Sequence, residues 1–344
     1  MKIIFYSLLF LSFFTVKIVS AQKVAIDKVK FFEGTSVINA TIEANMVDLF
    51  RHKEKTGAKF PANFSAMLFD STKLDGPVVL EIRGHSRKDI CFVPPLRVLF
   101  KKNKESVLEP LGSLKLVSQC KTSETYQQYL ISEFLVYKIY NLLTDKSFRV
   151  RLLNLNLIDS TGKKKPITEY GFLLEDEKDL AKRNNCTYLK KDKVDYHQID
   201  RKQMTLMAIF EYMIGNTDWG VTVNHNTRLL LSKNDSFHLP YVVPYDFDYS
   251  GFVNTDYAIP SPTLDITSVR ERIYRGFPRT IDEINESLDI FKKQEQNIYS
   301  VINDCALLTS RTKKDLTGYL NDFFKMIKKP SEVYNTFVKN ARTE

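Results

Sequence analysis

Between residues 124 and 143 the chain runs without Gly or Pro and sets Tyr126, Leu130, Phe134 and Tyr137 on one helical face. The sequence on either side is β-patterned. A long helix set into strand-rich sequence restricts the chain to mixed folds in which helix and sheet cover each other's apolar faces. Residues 24–110 read mainly as strands, the clearest being Val78-Val79-Leu80-Glu81-Ile82 and Leu96-Arg97-Val98-Leu99-Phe100. Residues 149–158 and 170–174 predict a hairpin joined by the polar stretch 159–168, and the polar residues 176–195 predict a connection. A second helix is predicted over 200–214, with Met204, Met207, Ala208 and Ile214 on its buried face. Residues 281–343 read as amphipathic helices. The expected class is α+β in two lobes. Residues 22–177 form a β-rich N-terminal lobe with one long helix, and 178–344 a mainly helical C-terminal lobe.

The first residues have the pattern of a secretory signal peptide: Lys2, a nearly apolar run over 3–16, and Val19-Ser20-Ala21 as a small-residue cleavage motif. Cleavage between Ala21 and Gln22 predicts an exported chain, periplasmic or secreted. Lys17 interrupts the run, and no later stretch approaches the roughly 18 apolar residues of a membrane span, so none is expected after the peptide is removed. The formal charge of +9 falls by two with Lys2 and Lys17. The remaining excess is scattered through runs such as Lys163-Lys164-Lys165 and Lys190-Lys191, which suits a solvated surface or an anionic ligand better than a nucleic-acid stripe. The four cysteines, Cys91, Cys120, Cys186 and Cys305, lack zinc-type spacing. They allow two disulfides in three connectivities, or buried thiols.

The most informative segment is Gly215-Asn216-Thr217-Asp218-Trp219, then Asn224-His225-Asn226, then Leu229-Leu230-Leu231, then Val242-Val243-Pro244-Tyr245-Asp246-Phe247-Asp248. It reads as a loop leaving a helix, a hairpin and a second loop, so side-chain oxygens gather at one hairpin edge. Phosphoryl transfer needs such a set: a carboxylate near the attacking hydroxyl, Asp218, and hard oxygen ligands for a divalent ion, Asn226 and Asp246, with Asp248 for a further ion. Asx residues in turns have a plain structural use as well.

This series resembles the active-site half of the CotH-type secreted kinases and, more distantly, HipA-type and phosphoinositide-type kinases. Upstream, Glu81-Ile82-Arg83-Gly84-His85-Ser86 is similar to the Arg-Gly-x-Ser loop of CotH-like proteins. Ser113-Leu114-Lys115-Leu116-Val117 resembles the segment before their first-lobe helix, and Tyr170-Gly171-Phe172-Leu173-Leu174-Glu175 their lobe-connecting strand. The resemblance covers residues 78–250. It implies a two-lobed protein-kinase-like fold, ATP with Mg2+ or Mn2+ as cofactors, and Asp218 as the catalytic carboxylate. Asn226, Asp246 and Asp248 would be metal ligands, with Asn224 the rival to Asn226. Lys115, with Lys101 second, is the phosphate-binding lysine and Glu133 its partner. Arg83, Ser86 and Arg87 would meet the phosphates, and Glu175 would border the nucleotide.

The function expected is an exported phosphotransferase that moves the γ-phosphoryl of ATP to a protein or carbohydrate hydroxyl. The alternatives are an inactive binding or surface-structure module and a metal-dependent phosphoester hydrolase. Two features remain beside the site. On a helix, Arg272, Arg275 and Arg279, with Arg270 nearby, would share a face, either solvated or spaced for an acidic substrate or a phosphate, and His225 and His238 have no metal spacing.

Overall fold

The computed structural model describes residues 27–84, 87–100, 107–190, 194–235 and 237–342. The residues read as a signal peptide, and His85, Ser86, Lys101 and Lys191, lie outside the described residues.

The two-lobed kinase-like expectation is corrected here. Seven strands close into a mixed barrel: β1 (Ile38–Ala44), β2 (Lys59–Met67), β3 (Lys73–Ile82), β4 (Leu96–Phe100), β5 (Ser113–Ser118), β6 (Val150–Asp159) and β7 (Ile167–Leu174), in the order β1-β2-β3-β4-β5-β7-β6. Closure comes from β1, which runs antiparallel to β2 and parallel to β6, with Ile38 opposite Leu153 and Ala44 opposite Asp159. Alternation fills the interior. Ala40 and Ile42 of β1 meet Ala62 and Phe64 of β2, Leu80 of β3, Val98 of β4 and Leu155 of β6 in one buried cluster. Small and large side chains thus interdigitate, as a narrow barrel requires.

Of the helices, α1 (Lys28–Glu33), α2 (Met46–Arg51) and α3 (Arg87–Ile90) are short; α4 (Glu124–Leu143) is the predicted long helix, capped by Ser123, whose Oγ accepts from the Tyr126 N–H. Strands β5 and β6 both run antiparallel to β7. They are therefore parallel to each other, and α4 supplies the crossover that parallel strands need. It packs on the outside of β6 and β7 and on the later helices, so it belongs to the helical layer.

Past β7 come α5 (Glu177–Arg183), α6 (Arg201–Ile214), α7 (Ile281–Asn303) and α8 (Ser310–Met326), with a small sheet of β8 (Cys186–Leu189), β9 (Thr227–Ser232) and β10 (Tyr241–Pro244) in the order β10-β9-β8. One apolar core joins Ile131 and Val136 of α4, Phe172 of β7, Phe210 of α6, Phe247, and Phe323 of α8. The arginines at 270–279 do not form a helix face. They lie on a non-helical segment and staple it down: Arg272 donates to the carbonyls of Met213 and Tyr319, Arg275 to that of Thr217, Arg279 to Thr205 Oγ1, and Arg270 pairs with Asp315. A disulfide joins Cys91 to Cys120, and Cys186 and Cys305 are thiols.

Candidate functional site

The end of α6 sets the site's first wall. Gly215 takes the left-handed conformation (φ 65°) and returns its N–H to the carbonyls of Glu211 and Tyr212. A Cβ there would collide with the Tyr319 hydroxyl, so the turn needs glycine. The next residues fold on themselves. Asn216 Oδ1 accepts from the Asp218 N–H at 3.0 Å, Trp219 Nε1 donates to the Asn216 carbonyl at 3.1 Å, and Gly220 bridges His225. Asp218 is thereby held outward. His225 Nε2 lies 2.8 Å from its Oδ1 and Asn226 Nδ2 lies 3.0 Å from its Oδ2. A carboxylate only accepts, so His225 carries its proton on Nε2.

The β9–β10 hairpin brings the second loop to this edge. Its register ends on Thr227 opposite Pro244, and the Tyr245 N–H donates to the Asn226 carbonyl at 3.0 Å. Asp246 follows, in the left-handed region (φ 68°), with its N–H donating to the Tyr137 hydroxyl at 2.9 Å. Phe247 is fully buried, its ring edge-on to Tyr137 at 4.7 Å. Asp246 and Asp248 therefore project toward α3, where Arg87 takes both: Nη2 is 3.2 Å from Asp246 Oδ1 and Nη1 is 3.4 Å from Asp248 Oδ2. Arg87 is fixed in turn, because the Cys91 N–H bonds its carbonyl and Cys91 is tied to Cys120 at the exit of β5.

Behind this bridge the site is acidic and buried. Glu133 of α4 is buried, and burial, then the Asp248 charge, pushes its pKa well above the carboxylate range. Burial likewise lifts Asp248 to about 6 against the pull of Arg87, while the Tyr257 hydroxyl donates to its Oδ2 at 3.0 Å. Arg87 stays firmly charged: burial opposes the charge, and Asp248 and Asp246 outweigh it. Two cavities border Arg87, each about 10 Å³.

The barrel supplies a cationic wall. Leu114 and Leu116 of β5 point inward, so Lys115 points out, its Nζ 4.4 Å from the Tyr245 ring, with Arg228 at the same distance from that ring. Burial, then Arg83 and Arg228, lowers the Lys115 pKa to about 8, although Glu177 and Asp246 pull the other way. Arg83 donates from Nε to the Leu96 carbonyl at 3.0 Å, beside Arg87.

Asp218, Asn226, Asp246, Asp248, Glu133, Arg83, Arg87 and Lys115 thus share one region. Glu175 is engaged elsewhere, accepting from Arg183 and from the Arg149 N–H. Asn224 lies in the Val221–His225 turn, where its N–H donates to the Val221 carbonyl; Asn226, not Asn224, contacts Asp218. Arg228 and Tyr257 are not singled out in the sequence, Tyr137 stands there only as part of a helix face, and His225 is set aside for want of metal spacing. Only His225 left a local signal, standing between two asparagines in the segment already singled out. The oxygens of Asp246, Asp248 and Asn226 are of the hard type Mg2+ takes, and the two carboxylates already share one cation, Arg87. Among the described residues no three His, Cys, Asp or Glu side chains converge on a single metal position.

In comparisons with known proteins, no protein-family model matches the chain and no curated protein matches it.

Proposed function

We propose that the chain is an exported phosphotransferase that moves the γ-phosphoryl of ATP to a protein or carbohydrate hydroxyl. The observation that carries this reading is the meeting of Asp218, Asn226, Asp246 and Asp248 at one hairpin edge, opposite Arg87 and Lys115. Asp218 accepts the hydroxyl proton; the bonds from His225 and Asn226 leave lone pairs on both of its oxygens and fix its direction. Lys115, Arg83 and Arg87 receive phosphate oxygens by charge-assisted hydrogen bonds. Mg2+ or Mn2+, held by Asp246 and Asp248 with the Asn226 amide oxygen, would neutralise charge on the phosphates. Arg87 bridges those carboxylates, so metal and nucleotide binding requires its guanidinium to turn to the phosphates. The Cys91–Cys120 disulfide supports the export part of the reading.

Nucleotide titration with Mg2+ or Mn2+, followed by thermal shift and by phosphate transfer, tests the proposal. Asp246→Ala should abolish the metal-dependent shift. Asp218→Asn should keep the shift and lose roughly 10²–10⁴-fold in turnover. Absence of a shift with every nucleotide and both metals rejects the proposal. A second reading, a non-catalytic binding module, is favoured by Arg87 standing between the two carboxylates and by the small cavities beside it. Transfer abolished by Asp218→Asn would exclude that reading.

A further inference from the structure

At the opposite end of the barrel from Arg83 and Arg87, β6 begins with an arginine on the inward face. Leu153, Leu155 and Leu157 point into the barrel, and Arg151 shares their parity. It is 5% exposed, yet no carboxylate among the described residues forms an ion pair with it. Its contacts are weak ones. Nη2 lies 3.3 Å from Ser36 Oγ, the guanidinium lies 5.9 Å from the Phe31 ring centroid, and Nε has no hydrogen-bond partner. A charge buried without a counter-charge is costly and calls for an anion. Gly34 makes room for the guanidinium itself: a Cβ there would lie 2.5 Å from Nη1 and 2.7 Å from Cζ.

Arg151 lines a cavity of about 590 Å³ at this mouth, between α1, the turn into β1 and the β2–β3 hairpin. That is the size of a small-molecule site, and barrel mouths are a usual place for one. The cavity's apolar side is made by Phe31, Leu68 and Phe69, the last 92% exposed at the hairpin tip. Two carboxylates stand at the rim, each bonded locally: Asp70 accepts from the Thr72 N–H and Asp27 from the Lys30 N–H. Lys30 adds a second positive charge to the lining.

We infer that this mouth is a binding site for an organic carboxylate with an apolar body, its head paired with Arg151 and its body against Phe31, Leu68 and Phe69. A guanidinium with a free edge takes a carboxylate through two parallel bonds. This site is independent of the phosphotransfer reading, and its test involves no nucleotide.

Titration calorimetry of the mature chain with decanoate and with decanol separates head from body. Decanoate should bind at least ten-fold tighter than decanol, and Arg151→Met should erase that difference. The unliganded Arg151→Met protein should be no less stable than wild type at pH 7, since no ion pair is broken; a guanidinium with a purely structural role would make it less stable. Should Arg151→Met fail to fold, Gly34→Ala is the second variant, expected to weaken decanoate at least ten-fold and leave decanol unchanged. Equal binding of the two probes, no binding of decanoate, or unchanged decanoate affinity in the variants would overturn the inference.

Discussion

Replacing Arg87 with Met should destabilise the protein in a strongly pH-dependent way. Arg87 is 14% exposed in its side chain, Asp248 7% and Asp246 35%. Breaking a buried pair by removing one partner costs about 3–5 kcal/mol, whereas exposed pairs contribute roughly 0–1 kcal/mol. The Asp248 arm belongs to the first class and the Asp246 arm lies near the second. A loss of about 3–4 kcal/mol is therefore expected at pH 8. The Asp248 carboxyl already stands at about 6 in the folded chain, raised by burial despite Arg87. A carboxyl raised on folding gives stability that is fully present below its unfolded value and lost as pH rises through the folded one. Without Arg87 that value climbs further, so at pH 5 Asp248 is neutral with or without the arginine and the loss should shrink to about 1 kcal/mol. Urea unfolding followed by circular dichroism at pH 5 and pH 8 measures both. An equal loss at the two pH values, or under about 1 kcal/mol at pH 8, would refute the reasoning.

Three further outcomes follow from the same region. Cys91→Ser, or reduction of the bridge, opens a loop of sequence separation 29 and should lower stability by about 3–4 kcal/mol in urea unfolding. Lys115, with its pKa lowered to about 8 from 10.5, makes stability rise as pH rises from 8 to 10.5, because the unfolded chain holds the proton there; Lys115→Met should flatten that rise in denaturation curves. Tyr257→Phe removes a hydroxyl that lowers the Asp248 pKa. It should cost about 1 kcal/mol and move the Asp248 carboxyl titration, followed by carbon-13 NMR, above about 6.

What the sequence disclosed was local. Helix α4 is legible because no Gly or Pro interrupts it and its apolar residues recur at helical spacing; β3, β4 and the β6–β7 hairpin are legible from their β-rich runs. Barrel closure is not, because it depends on Ile38 meeting Leu153, and period-two alternation states which face a residue takes but not which strand lies beside it. The arginines at 270–279 show the converse error. Their spacing suits a helix, but Gly276 and Pro278 stand among them, and the side chains instead satisfy carbonyls on neighbouring elements. Asn226 and Asp246 could be gathered in advance because a hairpin separates them, and Asp218 because a short turn joins it to Asn226. Glu175 could not be placed, since nothing local revealed that Arg183 would claim it.

The crossover that misled the two-lobed reading also explains why the site lies where it does. Because β5 and β6 are parallel with β7 between them, α4 must pass over the barrel wall, and its inner face then lies under the loop after β10. Tyr137 and Glu133 come from that one helix, a turn apart. Tyr137 accepts the Asp246 N–H and packs on Phe247, which holds Asp246 in a left-handed backbone that costs a non-glycine residue about 1–2 kcal/mol. Glu133 adds a second buried acid beside Asp248, and with its pKa pushed well above the carboxylate range it leaves the counter-charge of Arg87 to Asp248 and Asp246. The bridge is thus set from two sides, by α4 beneath the carboxylates and by the disulfide behind α3. A ligand that draws Arg87 away leaves Asp246 and Asp248 to another positive partner, which for Asp248 can be a proton, since burial already lifts its carboxyl to about 6.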